Sequence, residues 1–333
     1  MALEPAPLRP LPPQPEPADS PDLMVSPAEI APRSSGSVSW RLRGILQTVR
    51  PHQWVKNVFV LAPVVFAKEI FAQDLLARAA SAFGVFCLLA GAVYAMNDIA
   101  DVDADRTHPV KRFRPIASRR VPLSWARGAA VLLVSVALTA ALLLGGGFFL
   151  AAASYFALNL AYSLKLKHIA YVDVSCIAIG FVLRVVAGGL ATDIAVSAYL
   201  LVCTALLALF LGFGKRRHEL TAASRRAGQQ RAALESYTRR GLDVALVVTA
   251  LATIGTYLTY TLDSRTRAFF RSDSLWLSTV FVVLGVQRFL TIVRSRPRAE
   301  SPTQEMLRDG PFVAIVLLWV VAVMWVVYHL RPS

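Results

Sequence analysis

From Trp40 onward, long apolar runs alternate with short polar connections. Runs near 20 residues match the hydrocarbon thickness of a bilayer. The pattern predicts about nine membrane helices, over approximately 55–72, 76–98, 124–144, 148–164, 169–191, 195–214, 242–262, 274–293 and 309–330. Only Gly145, Gly146 and Gly147 separate the third run from the fourth, a tight turn that glycine's backbone freedom permits. Residues 1–38 are rich in Pro, Ser and Ala and poor in large apolar side chains. They read as a disordered cytosolic tail, without the basic cluster and apolar run of a signal peptide. The expected architecture is therefore an all-α, multi-pass transmembrane helical bundle over 39–333, preceded by that tail.

Composition agrees with the pattern: the 333 residues are 56% hydrophobic and 17% charged, outside the usual range of soluble domains. The formal net charge of +14 would raise nucleic acid as a partner in a soluble protein. Here the cations sit mainly in short loops, so membrane topology accounts for them and no nucleic-acid partner is expected. With the N-terminus inside, the cytoplasmic connections carry Arg106, Lys111, Arg112, Arg114, Arg119 and Arg120, then Lys165 and Lys167. They also carry the basic series from Lys215 to Arg240, then Arg294, Arg296 and Arg298. The opposite side holds little beyond Lys68, Arg78, Arg265, Arg267 and Arg271. This asymmetry predicts a plasma-membrane protein with its largest polar connections, 99–123 and 215–241, on the cytoplasmic face. The three cysteines lie inside apolar runs and read as small core residues.

The end of the second run reads Asn97-Asp98-Ile99-Ala100-Asp101-Val102-Asp103-Ala104-Asp105. If the helix continues, Asn97, Asp101 and Asp105 share one face, with Asp98 beside them and Asp103 pointing elsewhere. Carboxylates gathered on one face repel, and a divalent cation removes that repulsion. All-oxygen donors suit Mg²⁺, and Mn²⁺ accepts the same set. The alternative, a solvated acidic helix end, places negative charge at the negative end of the helix dipole. Four basic residues follow at once, Arg106, Lys111, Arg112 and Arg114. Carboxylates to hold a metal and cations to hold anionic oxygens suit a metal–phosphate ligand. Topology alone also explains any one of these cations.

Further cations lie beside or within apolar runs: Lys56, Lys165, Lys167, Lys215 and Arg184. Arg184 falls about 25 Å beyond Lys167 on a straight helix, so it requires an internal cavity or else must snorkel outward. The histidines show no metal or triad spacing, and there is no nucleophile elbow, Walker loop or dinucleotide fingerprint.

The N-D-x-x-D-x-x-x-D form at the end of a second membrane helix resembles the UbiA superfamily of intramembrane prenyltransferases, which are all-helical and magnesium-dependent. The words Arg50-Pro51-His52-Gln53-Trp54-Val55-Lys56-Asn57, Lys111-Arg112-Phe113-Arg114-Pro115, Leu166-Lys167-His168, Leu183-Arg184-Val185-Val186-Ala187-Gly188-Gly189 and Gly214-Lys215-Arg216 are similar to one branch of it, decaprenyl-phosphate phosphoribosyltransferase. The likeness covers about residues 45–330. It implies transfer of 5-phosphoribose from 5-phosphoribosyl 1-diphosphate to a polyprenyl phosphate, releasing diphosphate, for cell-wall or other lipid-linked sugar synthesis. It implies Mg²⁺ on Asn97 and Asp101, with Asp98 or Asp105 acting through water. It further implies Lys111, Arg112 and Arg114 on the donor phosphates, and Tyr94 reaching the same pocket. Lys56, Lys167 and Arg184 are left for the donor's 5-phosphate and the lipid phosphate, undivided between them, and Lys215 is a further substrate-binding residue. Where prenyl-diphosphate-using members usually carry a second acidic motif, this sequence has Lys215-Arg216-Arg217-His218-Glu219, which suits bare phosphates better than a second metal.

Two other functions compete. One is a prenyltransferase that joins a prenyl diphosphate to an aromatic acceptor. The other is a cation-coupled transporter, against which stand the position of the acids at a helix end and the lack of an internal repeat. The oligomeric state stays open, a homo-oligomer included.

Overall fold

The computed structural model describes residues 37–67, 69, 72–223, 236–295, 305, 306 and 308–328. The tail expected over 1–38 lies outside the described residues except for its last two, which begin a helix. Among the described residues all regular structure is helical.

Helix α1 (Val38–Val49) is capped by the Ser37 hydroxyl, which accepts from the Trp40 amide. It ends at Arg50, whose backbone is left-handed (φ 54°). A 3₁₀ segment (Pro51–Leu61) and a short helix α2 (Ala62–Phe66) follow. The first expected span, 55–72, is thus not one regular α-helix. Pro63 cannot donate to a carbonyl one turn earlier, and the segment divides just before it.

Next come α3 (Gln73–Ala100), the short α4 (Val102–Thr107), α5 (Leu123–Leu144) and α6 (Gly146–Leu164). Of the three glycines expected to make the turn between α5 and α6, only Gly145 stands outside the helices. Its φ of 132° is open to glycine alone. The bundle continues with α7 (Val172–Thr192), α8 (Ala198–Ala223), α9 (Arg239–Leu262), α10 (Ser264–Phe270), α11 (Thr279–Ser295) and α12 (Gly310–Tyr328). Helix α8 runs past the expected end at 214, so Lys215–Glu219 is helical rather than a loop. The basic residues Arg225, Arg226, Arg231, Arg296 and Arg298 lie outside the described residues.

Among the described residues seven helices are long and apolar enough to cross a membrane: α3, α5, α6, α7, α8, α9 and the segment Leu275–Arg294, which contains most of α11. The apolar helix α12 is shorter over its described part, Gly310–Val326, and the first segment is divided, so the count of nine is not reproduced by length and composition. Helices α3 and α7 are the inner pair, with 56% of their apolar windows buried against 17–33% elsewhere. Small buried residues on α3 (Ala79, Ala82, Ala90, Gly91, Ala92, Ala95) let neighbouring elements approach it closely, as Val49 of α1 does at Gly91. Around them Val60, Phe86, Leu89, Phe148 and Tyr155 form one core cluster; Phe210, Leu242 and Phe289 anchor a second between α8, α9 and α11. Leu143 on α5 is 87% exposed and faces outward, as a lipid-contacting side chain does. The 3₁₀ segment packs against both inner helices; Arg50 meets Asp98 near the end of α3, and Asn57 meets Cys87 and Arg184 in the middle of α3 and α7.

Candidate active site

The acidic run does not present its carboxylates in one row. The helix is interrupted at Asp101 (φ −91°, ψ 8°), although the Asp101 amide still donates to the Asn97 carbonyl and the Asp105 amide to the Asp101 carbonyl. Asp98 and Asp105 turn inward and are buried, each 3% exposed at the side chain. Asp101 is 45% exposed and faces Lys167, Nζ to Oδ1 3.8 Å. The expected grouping of Asp101 with Asp105 is therefore replaced by Asp98 with Asp105. A break at the helix end rotates the carboxylates off their i,i+4 row. Asp103 is 90% exposed and pairs with Arg106.

Cations meet the inward acids. Arg114 Nη1 donates to Asp98 Oδ1 (3.1 Å) and to Asp105 Oδ2 (2.7 Å). Arg50 Nη2 donates to the same Asp98 oxygen (2.7 Å), and its guanidinium lies 5.1 Å over the Tyr94 ring. Lys111 Nζ is 4.0 Å from Asp105. Arg112, expected beside them, is exposed, and its guanidinium lies over the ring of Phe113. On the short 3₁₀ turn Lys111–Phe113, consecutive side chains point about 120° apart, so Lys111 and Arg112 face different ways. Asn97 lines a cavity of about 110 Å³ between α3 and α6, whose other walls are mainly apolar.

A second cationic group sits deeper. Arg184 is buried and points into the bundle rather than snorkelling. Its Nε donates to Asn57 Oδ1 (2.9 Å), Nη2 to the Tyr155 hydroxyl (2.8 Å) and Nη1 to the Gly180 carbonyl (2.9 Å). The rings of Tyr155 and Phe181 flank the guanidinium at 4.6 and 5.1 Å. Lys56 is exposed, next to buried Asn57 on the same segment. Burial, and then the charges of Lys215, Arg184 and Arg50, lower its pKa to about 8. Lys56 therefore carries its charge under repulsion from three other cations, and an anion beside it would relieve that repulsion. Lys215 also lies 3.9 Å from Glu219, one turn on in α8.

A model of the UbiA prenyltransferase family matches residues 58–308. The chain belongs to that family. Its sequence is 34% identical over 304 residues to the decaprenyl-phosphate phosphoribosyltransferase of Mycolicibacterium smegmatis, covering 88% of this chain and 95% of the relative. It is 35% identical over 289 residues to the enzyme of the same name from Corynebacterium glutamicum, covering 86% and 87%. The fold is similar to a UbiA homolog from Archaeoglobus fulgidus bound to DMAPP and Mg²⁺, with a TM-score of 0.62, 19% identity and coverage of 86% and 99%.

As a UbiA-family integral membrane protein, the chain shows what stands at the end of α8, where a second acidic motif was sought. Arg216 Nε lies 2.6 Å from Asp173 Oδ2, and Arg216 also pairs with Glu219. The Tyr237 hydroxyl donates to Asp173 and accepts from the Tyr171 amide. Arg216 is 3% and Asp173 1% exposed at the side chain, so this group ties α7, α8 and the segment before α9 together internally. Sequence reasoning missed it, since a lone Asp near the start of an apolar run carries no partner signal. Arg50 and Asn57 were also missed as site residues, although both lie in the word Arg50–Asn57. Tyr155 lies in a mainly apolar helix, which gave its hydroxyl no partner signal.

Proposed function

We propose that this protein transfers 5-phosphoribose from 5-phosphoribosyl 1-diphosphate to a polyprenyl phosphate, releasing diphosphate, with Mg²⁺ as the cofactor and Mn²⁺ as a substitute. The observation that carries it is the number of cations: Arg50, Arg114, Lys111 and Lys167 around the acids, Arg184 deeper in the bundle, and Lys56 within reach of the charges of Lys215, Arg184 and Arg50. A sugar donor with a diphosphate and a 5-phosphate, together with a lipid phosphate, brings several separate anions to one site. A prenyl diphosphate with an aromatic acceptor brings one. The relatives' name, decaprenyl-phosphate phosphoribosyltransferase, supports the same substrates.

The donor chemistry suits the metal: every candidate ligand is an oxygen, the set that hard dications take. Among the described residues no three His, Cys, Asp or Glu side chains form a ready cage. Asn97 and Asp101 would therefore supply part of the shell and leave the rest to water and phosphate oxygens, the usual arrangement for Mg²⁺. When bound, the metal would neutralise charge growing on the departing diphosphate. Asp98 and Asp105 hold Arg114 and Arg50 at the mouth of the site. Lys111 and Lys167 bring charge to the donor phosphates, and Lys56 with Lys215 takes a further phosphate anion. Arg184 stands behind them, oriented by Asn57 and Tyr155. The acceptor phosphate oxygen is ionised at neutral pH, so no side chain has to remove a proton from it. Alignment and electrostatics carry the acceleration. The distribution of Lys and Arg supports a cytoplasmic position for this site and the N-terminus.

The test incubates membranes containing the protein with radiolabelled phosphoribosyl diphosphate and polyprenyl phosphate. Label should appear in an organic-soluble lipid. Asp101→Ala should abolish that product while the protein still folds in membranes. Activity retained by Asp101→Ala with added Mg²⁺ refutes its assignment, and label incorporated only from a prenyl diphosphate overturns the reaction.

A further inference from the structure

We infer that Arg114 is a resident counter-ion of the Asp98–Asp105 pair, released when the divalent cation arrives, so that metal binding and delivery of its guanidinium to the donor phosphates are one event. The inference rests on the metal reading above.

One nitrogen, Arg114 Nη1, touches both buried carboxylates, at 3.1 and 2.7 Å. Two carboxylates removed from water cannot stay ionised without compensating charge. Arg50 supplies one positive charge, at 2.7 Å from Asp98, and Arg114 supplies the other. The four groups together are neutral, and Lys111 at 4.0 Å from Asp105 adds further positive charge. A dication entering beside Asp101 therefore meets no net negative charge from this group while Arg114 remains in place. Once Arg114 leaves, the same acids attract the metal.

The two arginines are not equally free to move. Arg50 sits at the junction of α1 and the 3₁₀ segment, in a left-handed backbone, with its guanidinium over Tyr94. Arg114 follows a three-residue 3₁₀ turn on the polar connection, outside any membrane helix; its side chain is 29% exposed against 26% for Arg50, so the backbone setting and the stacking on Tyr94, not exposure, distinguish the two. Arg114 is thus the one able to swing outward. A planar guanidinium matches paired phosphate oxygens, so the released group has an acceptor in the donor diphosphate.

The test uses the full chain in detergent without phosphoribosyl donor, and reads Mn²⁺ binding by electron paramagnetic resonance. Arg114→Gln should bind Mn²⁺ about tenfold more tightly than the unaltered protein, the scale of one partly screened charge at contact. Hydrogen exchange on the unaltered protein gives a second measurement that needs no variant. Mn²⁺ alone should speed exchange over residues 108–118. Unchanged or weaker Mn²⁺ binding by Arg114→Gln, or exchange over 108–118 indifferent to Mn²⁺, overturns the inference. No saturable Mn²⁺ site in either protein removes the metal reading, and the counter-ion role falls with it.

Discussion

Gly188→Ala is the substitution with the most direct geometric consequence. A β-carbon built on Gly188 in α7 lies 1.9 Å from the Val60 carbonyl oxygen, 2.9 Å from the Val60 carbonyl carbon and 3.2 Å from Pro63 Cδ. A carbon–oxygen contact requires about 3.3 Å, so the 3₁₀ segment must retreat from α7 by about 1.4 Å. The obstacle is backbone, and no rotamer change relieves it. Overpacking of this kind costs about 1–3 kcal/mol. Asn57 lies one turn from Val60, and its 2.9 Å bond to Arg184 would open to about 4.3 Å, past hydrogen-bonding range. The buried guanidinium then loses a charged hydrogen bond, worth about 1.5–3 kcal/mol. Lys56 moves with the same segment, and a misplacement near 1 Å costs about 100-fold in rate. The assay is thermal melting of the purified protein in detergent, with initial rates of lipid labelling. Gly84→Ala in α3 is the control, because its β-carbon meets nothing within 4 Å. It should be neutral, or stabilising by up to about 1 kcal/mol. A Gly188→Ala protein that melts and turns over like the parent would refute the claim that close contact between α7 and the 3₁₀ segment sets the site.

Two further outcomes are expected. The Lys56 pKa is lowered to about 8, so its ammonium is present below that pH and lost as pH rises through it. The kcat/KM for the phosphate-bearing substrates should fall above about pH 8, and Lys56→Arg, charged throughout, should flatten that limb; an identical alkaline fall in Lys56→Arg sinks the assignment. Asp173→Asn breaks a buried pair with Arg216 and should destabilise by about 3–5 kcal/mol in detergent melts. Removing both charges in Asp173→Asn with Arg216→Met should recover most of that loss, and a single variant as stable as the parent contradicts the internal tie.

Much of the fold was legible because apolar run length reports directly on bilayer thickness. Runs placed at 124–144 and 242–262 correspond to helices at Leu123–Leu144 and Arg239–Leu262. The first span was misread because hydropathy does not register 3₁₀ winding or the interruption before Pro63. The end of α8 was misread because charged residues suggest a loop, whereas Arg216 continues the helix by finding Asp173 on α7. Within the site, the words around Arg50–Lys56, Asn97–Asp105 and Leu183–Gly189 marked the right segments. They did not say which side chains meet.

The order of apolar and polar residues thus determined an all-helical membrane bundle, the acidic helix end and the abundance of cations near it. These are local properties, set by periodicity, length and charge along the chain. Only the tertiary structure decided that Asp98 and Asp105, rather than Asp101, share Arg114, that Arg184 is held inside by Asn57 and Tyr155, and that Arg112 turns away. The physical reason is that a side chain's partner depends on the packing of helices far apart in sequence: Asn57 and Arg184 are 127 residues apart, yet only 2.9 Å separates their bonded atoms.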